Sequence, residues 1–343
     1  GTDGKWTNDN NTRYWPEDKD MALSFYAHEN AGGTFKWDVT TAPYAKFENF
    51  TVADAEDAAT AYQAAAEGGS AKVNNQVDLL YAVKTNQKSS KSPVKLNFRH
   101  ALSQIVFNAR NESKNIMVKI AGVKVVNVKG SGTYSFPNVD TDININNGND
   151  GGADYPASTG GLGTWALADG LAAYGVDFAT VSVPATATDN TSKTVDLTSA
   201  EGEKKQNADA MMLLPQSTSK LTLNGASTFP GTGSYILVNC LIYNIADGQG
   251  GEGDDDEVLI WGTGEEGADV STYKTKWLAI PTDFNWEQGK RYVYTLVFGH
   301  GEGGIIPGPN PEPVLVPVTF EVSVDNFVNG NNANIEFKDE DGE

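Results

Sequence analysis

The sequence predicts an all-β protein built from two β-sandwiches. Segments rich in β-branched and aromatic residues recur along most of the chain, each closed off by Gly, Pro, Asn or Asp. They do not alternate with helical patterns, which favours antiparallel sandwiches over a parallel sheet wrapped in helices. At 343 residues the chain exceeds one small sandwich and suits two domains.

The first strands read as Met21 to His28 (MALSFYAH), Tyr44 to Val52, Val77 to Lys84 and Val94 to Arg110. Between them, Asp54 to Glu67 (DAEDAATAYQAAAE) is the one helix candidate: it is rich in Ala, opens on acids and stops at Gly68-Gly69. Its apolar face is weak, so a surface helix or partly helical loop is expected. In Val94 to Arg110 the apolar residues run Leu96, Phe98, Leu102, then Ile105, Phe107, Ala109. The parity flips after Leu102. An extra residue near Ser103-Gln104, a β-bulge, would return both sets to one buried face. His100 sits at an apolar-parity position and reads as a hydrogen-bonded core residue. Another strand follows at Ile116 to Lys129, closed by Gly130-Ser131-Gly132.

Residues Asn138 to Gly163 are dense in Asp, Asn and Gly and read as a loop or junction. They place the division near Gly132 to Asp140, with an N-terminal domain at 1–136 and a C-terminal domain at 137–343. Strands resume at Thr164 to Leu167, Thr180 to Pro184, Met211 to Pro215, Lys220 to Leu223, Ser234 to Ile245, Val258 to Trp261, Trp277 to Ile280 and Arg291 to Phe298. In Ser234 to Ile245 both parities are apolar, which predicts a strand buried on both faces with Cys240 as a small core residue. The last fifth holds Pro307, Pro309, Pro311 and Pro313, a spacing that favours an extended, semi-rigid tether. After it Val314, Val316, Val318, Phe320, Val322 and Val324 alternate with polar residues, a strand with one buried face. Pro317 lacks a backbone donor and argues for a free edge there. Such a strand either folds back on its own domain or completes the sheet of another copy.

Charge and composition narrow the function. Asp and Glu total 45 against 25 Lys and Arg, giving a net charge of -20, which repels nucleic-acid backbones and anionic membranes. One Cys excludes an internal disulfide and any Cys-built zinc site, and the three His (His28, His100, His300) leave little for a triad. No run of 18 apolar residues occurs. The start, Gly-Thr-Asp-Gly, reads as a trimmed end. Gly-rich spacings at Gly248-Gly250-Gly253, Gly262-Gly264-Gly267 and Gly299-Gly301-Gly304 open no helix, and acids crowd two of them, so hairpin loops explain them better than a dinucleotide site. Asp140, Asp142, Asn144 and Asn146 alternate like calcium ligands, but the sixth position is Ile145 and no Glu stands twelfth, so a solvated loop is expected. No catalytic spacing is present. The expectation is therefore no enzyme, cofactor or metal. The Trp residues (6, 15, 37, 165, 261, 277, 286) are scattered and read as core, which weakens a carbohydrate-binding alternative.

Several blocks, in order, resemble the fimbrillin family. Tyr14-Trp15-Pro16 with Leu23 to Ala27 is similar to its opening block, and Leu79 to Ala82 and Leu96 to Phe107 (LNFRHALSQIVF) to its next two. Met212 to Gln216 (MLLPQ) and Trp286 to Phe298 (WEQGKRYVYTLVF) resemble its later ones. The resemblance implies tandem transthyretin-like sandwiches and a fimbrial subunit of the cell surface serving adhesion or colonisation. It further implies export to the outer membrane as a lipoprotein precursor, with membrane contact only through that lipid anchor. Trimming of a first strand after an Arg and strand exchange between subunits are implied as well. The chain begins almost at the first recognisable block, so one upstream strand is expected to be missing, and Arg13 is not the expected processing site. The partners expected are other subunits and a host or bacterial surface receptor. The alternatives are a non-polymerising adhesin and a carbohydrate-binding surface lipoprotein.

Overall fold

The computed structural model describes residues 15–29, 32–63, 75–90, 94–141, 162–187, 191–198, 210–223, 229, 232–245, 257–265, 269–301, 303–326 and 334–335. The first strands are β1 (Leu23–His28), β2 (Thr34–Trp37), β3 (Ala45–Thr51), β4 (Glu56–Asp57), β5 (Leu80–Gln87), β6 (Val94–Lys95), β7 (Arg99–His100) and β8 (Ser103–Asn111). The middle ones are β9 (Ile116–Val128), β10 (Ser131–Ser135), β11 (Thr164–Leu167), β12 (Ala172–Val183), β13 (Thr194–Asp196), β14 (Met211–Leu213) and β15 (Tyr235–Asn244). The last are β16 (Leu259–Trp261), β17 (Lys276–Pro281), β18 (Lys290–Phe298), β19 (Gly304–Ile306), β20 (Glu312–Val314), β21 (Val318–Asn326) and β22 (Asn334–Ile335). Among the described residues the only helical piece is a single turn, Val270–Thr272. The chain is all-β, as its composition predicts.

Four sheets carry the fold. One is β1-β5-β7, and a second is β11-β10-β3-β2. The third runs β20-β19-β17-β15-β9-β12-β4 with β16 beside β15, and the fourth β13-β8-β18-β21 with β14 beside β8. A short fifth pairing joins β22 to β6. One buried cluster runs through all four main sheets, from Phe47 and Tyr81 to Ile236, Leu278 and Phe298. The sheets do not follow the expected division at 136/137. β4, β8 and β9 lie before it yet pair with β12, β15 and β18, while β11 lies after it and joins β10. Residues in the expected junction are docked as well: Thr141 is fully buried and its hydroxyl bonds the Val83 N–H and the Asn97 carbonyl.

β15 fulfils its two-faced pattern. Ile236, Val238, Cys240 and Ile242 enter the main core, and Tyr235, Leu237, Leu241 and Tyr243 face smaller clusters on the other side. Cys240 is fully buried, and that burial pushes its thiol pKa up. Its neighbour β9 carries a β-bulge: Asn239 opposes Gly122 and Cys240 opposes Ile120, leaving Ala121 extra. The inward set accordingly switches from Ile116, Val118 and Ile120 to Val123 and Val125.

Two local expectations are corrected. The expected bulge at Ser103-Gln104 is a change of sheet. Arg99–His100 pairs with β5, the chain bends at Ala101-Leu102, and β8 pairs with β18 in unbroken parallel register. Leu96 and Phe98 pack in a small cluster with Ala82 and Val94, whereas Leu102, Ile105 and Phe107 enter the main core, so the two sets do not share a face. The expected helix at Asp54 to Glu67 is absent from its described part, 54–63, which forms β4 and successive turns. Asp54 has φ 59° and accepts bonds from the Asn75 backbone and side-chain amides, and the Asp57 carboxylate takes the Ala59 N–H, so these side chains compete for helical donors. Ala58 and Ala61 are then buried rather than exposed. The buried Lys124 pins the segment: its Nζ lies 2.6 Å from Glu56 and 5.0 Å from the centre of the Trp277 ring. His100 is buried and its Nδ1 is hydrogen-bonded to the Asp78 carboxylate, as a core histidine should be.

Asp140 supplies a pH-dependent tie. It accepts the Thr85 N–H and hydroxyl and pairs with Lys84 at 2.9 Å. Burial pushes its carboxyl up, but the Thr85 N–H, Lys84 and the Thr85 hydroxyl outweigh it and hold it below the usual range. A folded-state pKa below the unfolded value stabilises above the unfolded pKa and loses that stabilisation as pH falls through the folded one. Asp140→Asn is therefore expected to cost about 1 kcal/mol at neutral pH. The gap to the parent should close below about pH 4, a trend that urea unfolding at several pH values would read.

Candidate assembly site

The candidate strand divides into two elements. Pro307 to Pro311 form the loop of a hairpin, not an extended tether: Gly304 opposes Val314, Ile305 opposes Pro313 and Ile306 opposes Glu312. Gly308, at φ 156°, lies in that reversal. Pro313 is tolerated because β20 is the outermost strand of its sheet. Val316 and Pro317 then carry the chain across to the other sheet, where β21 pairs antiparallel with β18 from Phe298↔Val318 to Lys290↔Asn326. β21 is again an edge, with one side of its backbone outside the ladder. Both sheets thus end on the same seam, joined by residues 315–317.

Seating of the six alternating residues is graded. Val316 and Val318 are 1 % exposed, while Val314 and Phe320 are half-buried against the main core. Phe320 lies 6.0 Å from the Tyr294 ring. Val322 is 44 % exposed and Val324 52 %, although both share the inward parity. Leu315, on the other parity, is 89 % exposed.

The outer face of β21 is clasped by charge, which sequence reasoning missed. Arg110 on β8 reaches past β18 to Glu321 at 2.9 Å and holds Glu112 at 2.7 Å. His300 Nε2 lies 2.5 Å from the other Glu112 oxygen. The hydrogen bond from His300, then that from Arg110, keeps the Glu112 carboxyl below its usual range. The hydrogen bond to Glu321 raises the Arg110 pKa. Only the alternation of Glu321 with the valines hinted at this arrangement, since its partners lie far away in sequence. Glu321 is 63 % exposed, so the clasp adds only about 0.5 kcal/mol of hold.

The other residues weighed for chemistry fall elsewhere. Asp140 is spent on Thr85 and Lys84, and Asp142 to Asp150 lie outside the described residues, as do Gly248 to Gly253, Gly267 and Trp6. Gly299, Gly301 and Gly303 all have positive φ and serve the turn between β18 and β19. Among the described residues no group of three His, Cys, Asp or Glu is placed to hold a metal, and no helix is long and apolar enough to cross a membrane.

A family model described as fimbrillin-like matches residues 1–232. The chain belongs to the fimbrillin-like family. Membership gives this fimbrillin-like chain a role in cell-surface adhesion or fimbriae. The matched stretch ends before β15, so β20 and β21 lie beyond it. No curated protein matches the sequence. Similar solved structures include a "putative cell adhesion protein" of Bacteroides uniformis, at 13 % identity over 94 % of this chain and 78 % of that one, TM-score 0.32. A second, from Bacteroides ovatus, has 13 % identity over 95 % and 74 %, TM-score 0.35. A third, from Parabacteroides distasonis, has 8 % identity over 75 % and 73 %, TM-score 0.35. Similarity this low carries no argument about site or partner.

Proposed function

We propose that this fimbrillin-like chain is a structural subunit of a cell-surface fimbria that assembles by exchanging its last strand. Tandem transthyretin-like sandwiches, export as an outer-membrane lipoprotein precursor and the absence of enzymatic activity belong to the same reading. Family membership supports the fimbrial role. The observation that carries the assembly step is the incomplete seating of β21, an edge strand whose inward residues Val322 and Val324 stay about half exposed. An apolar strand face left open beside an unpaired backbone edge gains by entering a neighbour's groove. Last strand into next subunit is a heterologous contact and propagates as an open fibre.

Deleting Val314 to Glu343 should abolish fibres, but it also strips β18 of a partner. The sharper test is Val322→Asp with Val324→Asp. Both positions are about half exposed in the folded-back state, so the double variant should unfold within about 1 kcal/mol of the parent. In an exchanged strand they would bury two carboxylates in a groove. Electron microscopy should show fibres from the parent and none from the double variant. If fibres persist, assembly does not run through this strand. The nine-residue pairing with β18 then favours the second reading, a non-polymerising adhesin with an ordinary edge strand.

A further inference from the structure

The seven Trp residues are not all core. Trp261, Trp277 and Trp286 are buried, but Trp37 is 49 % exposed. It ends β2, the edge of its sheet, and its ring meets Tyr26 of β1, the edge of another sheet, across the seam between them. Two ring pairs bridge that seam. His28 stacks on Phe35 at 4.7 Å, and Tyr26 meets Trp37 at 4.8 Å with the rings at 74°. A perpendicular pair leaves at least one face of each ring clear of the other. Tyr44 is 37 % exposed just before β3, and its carbonyl accepts the Asp38 N–H at 2.9 Å, which ties it to the end of β2. Its phenol is close enough that, after burial, it is what raises the Tyr26 pKa. Asp38 fixes the intervening loop by accepting the Thr40 N–H and hydroxyl and the Thr41 N–H.

We propose that Trp37, Tyr26 and Tyr44 form a binding platform for an uncharged glycan. Flat aromatic faces match the apolar C–H faces of a pyranose, and two phenols beside them supply donors and acceptors for ring hydroxyls. A strand is the poorer occupant, because the ring pairs already fill the seam where its side chains would seat. An anionic glycan is poorer too, since the chain carries a net charge of -20. Lys36 and Lys46, the cations nearest in sequence, oppose each other on the other face of that sheet. The platform lies on the first two sheets, away from β21, and serves a fibre subunit and a monomeric adhesin alike.

The test is an array of immobilised neutral hexose and N-acetylhexosamine oligosaccharides, with sialylated and sulfated counterparts, followed by calorimetry on the best ligand. Neutral glycans should be retained and anionic ones not. Trp37→Ala should weaken binding about tenfold or more, and Tyr44→Phe, which removes only a hydroxyl, about threefold. Thermal melting of both variants checks that they fold, and Tyr44→Phe keeps the test decisive should Trp37→Ala melt early. The Val322→Asp, Val324→Asp chain should bind as the parent does, which separates this proposal from strand exchange. Retention of no neutral glycan, retention of anionic glycans only, or unchanged affinity in both aromatic variants overturns it. So does self-association that disappears in Trp37→Ala, which would give the platform to a second copy.

Discussion

Phe107→Ala is expected to lower the free energy of unfolding by about 3–5 kcal/mol. Phe107 is fully buried in β8, stacks on Tyr294 of the neighbouring parallel strand at 5.5 Å, and lies in the cluster that joins the sheets. Removing the ring loses its transfer energy and leaves a cavity whose walls belong to paired strands and cannot collapse into it. Chemical denaturation should show a lower midpoint with an unchanged slope. A cost below about 1 kcal/mol would mean that the β8 face assignment is wrong. Phe98→Ala perturbs a different cluster, so the two losses should add.

The second large effect separates the two halves of the last strand. Val318→Asp should cost about 3 kcal/mol or more, because Val318 is 1 % exposed and a carboxylate there has no cation beside it among the described core residues. Its burial cost should raise the carboxyl pKa, so the loss shrinks as pH falls and the group goes neutral. Six residues on, Val324→Asp should cost under about 0.5 kcal/mol at the same parity of the same strand. Equal losses at the two positions would contradict the graded seating. The contrast also shows why Val318 is a poor place to probe assembly: the monomer fails before exchange is tested.

Pattern reasoning reached the class, most strands and the two-faced burial of β15, because alternation and turn residues act over a few positions. It failed where the same local signal has two physical causes. A parity flip after Leu102 and a parity flip after Ile120 look alike in sequence. The first is a bend that moves the chain between sheets; the second is a true β-bulge at Ala121. Only the partners distinguish them, and the deciding ones, β18 for β8 and β15 for β9, lie more than a hundred residues away. The Ala-rich stretch after Asp54 misled through propensity: alanine is the best helix former, but its advantage is roughly a few tenths of a kcal/mol per residue, and burial of Ala58 and Ala61 with the Asp54 and Asp57 side-chain bonds outweighs it. Pro307 to Pro311 misled in the same way: alternating prolines permit an extended chain, and Gly308 lets the chain fold back between β19 and β20. At the candidate site the alternation from Val314 to Val324 was legible. Its division at Val316-Pro317 and the clasp of Arg110 on Glu321 were not, because both depend on β8 and β18.

The parallel pairing of β8 with β18 sets the order of events in the life of the chain. Residues 104–111 wait for residues 291–298 before the centre of their sheet exists. At ribosomal speed that gap lasts on the order of ten to forty seconds. Throughout it, β13 and β14 can join only one edge of β8; its other edge stays open and Phe107 lacks the Tyr294 ring, so completion of this sheet is delayed by topology rather than by weak contacts. A molecule destined to leave the cytoplasm gains from that delay: the chain stays threadable until nearly all of it has been made. Any product ending before residue 290 lacks the strand that joins β8 to β21 and leaves that sheet open at its centre.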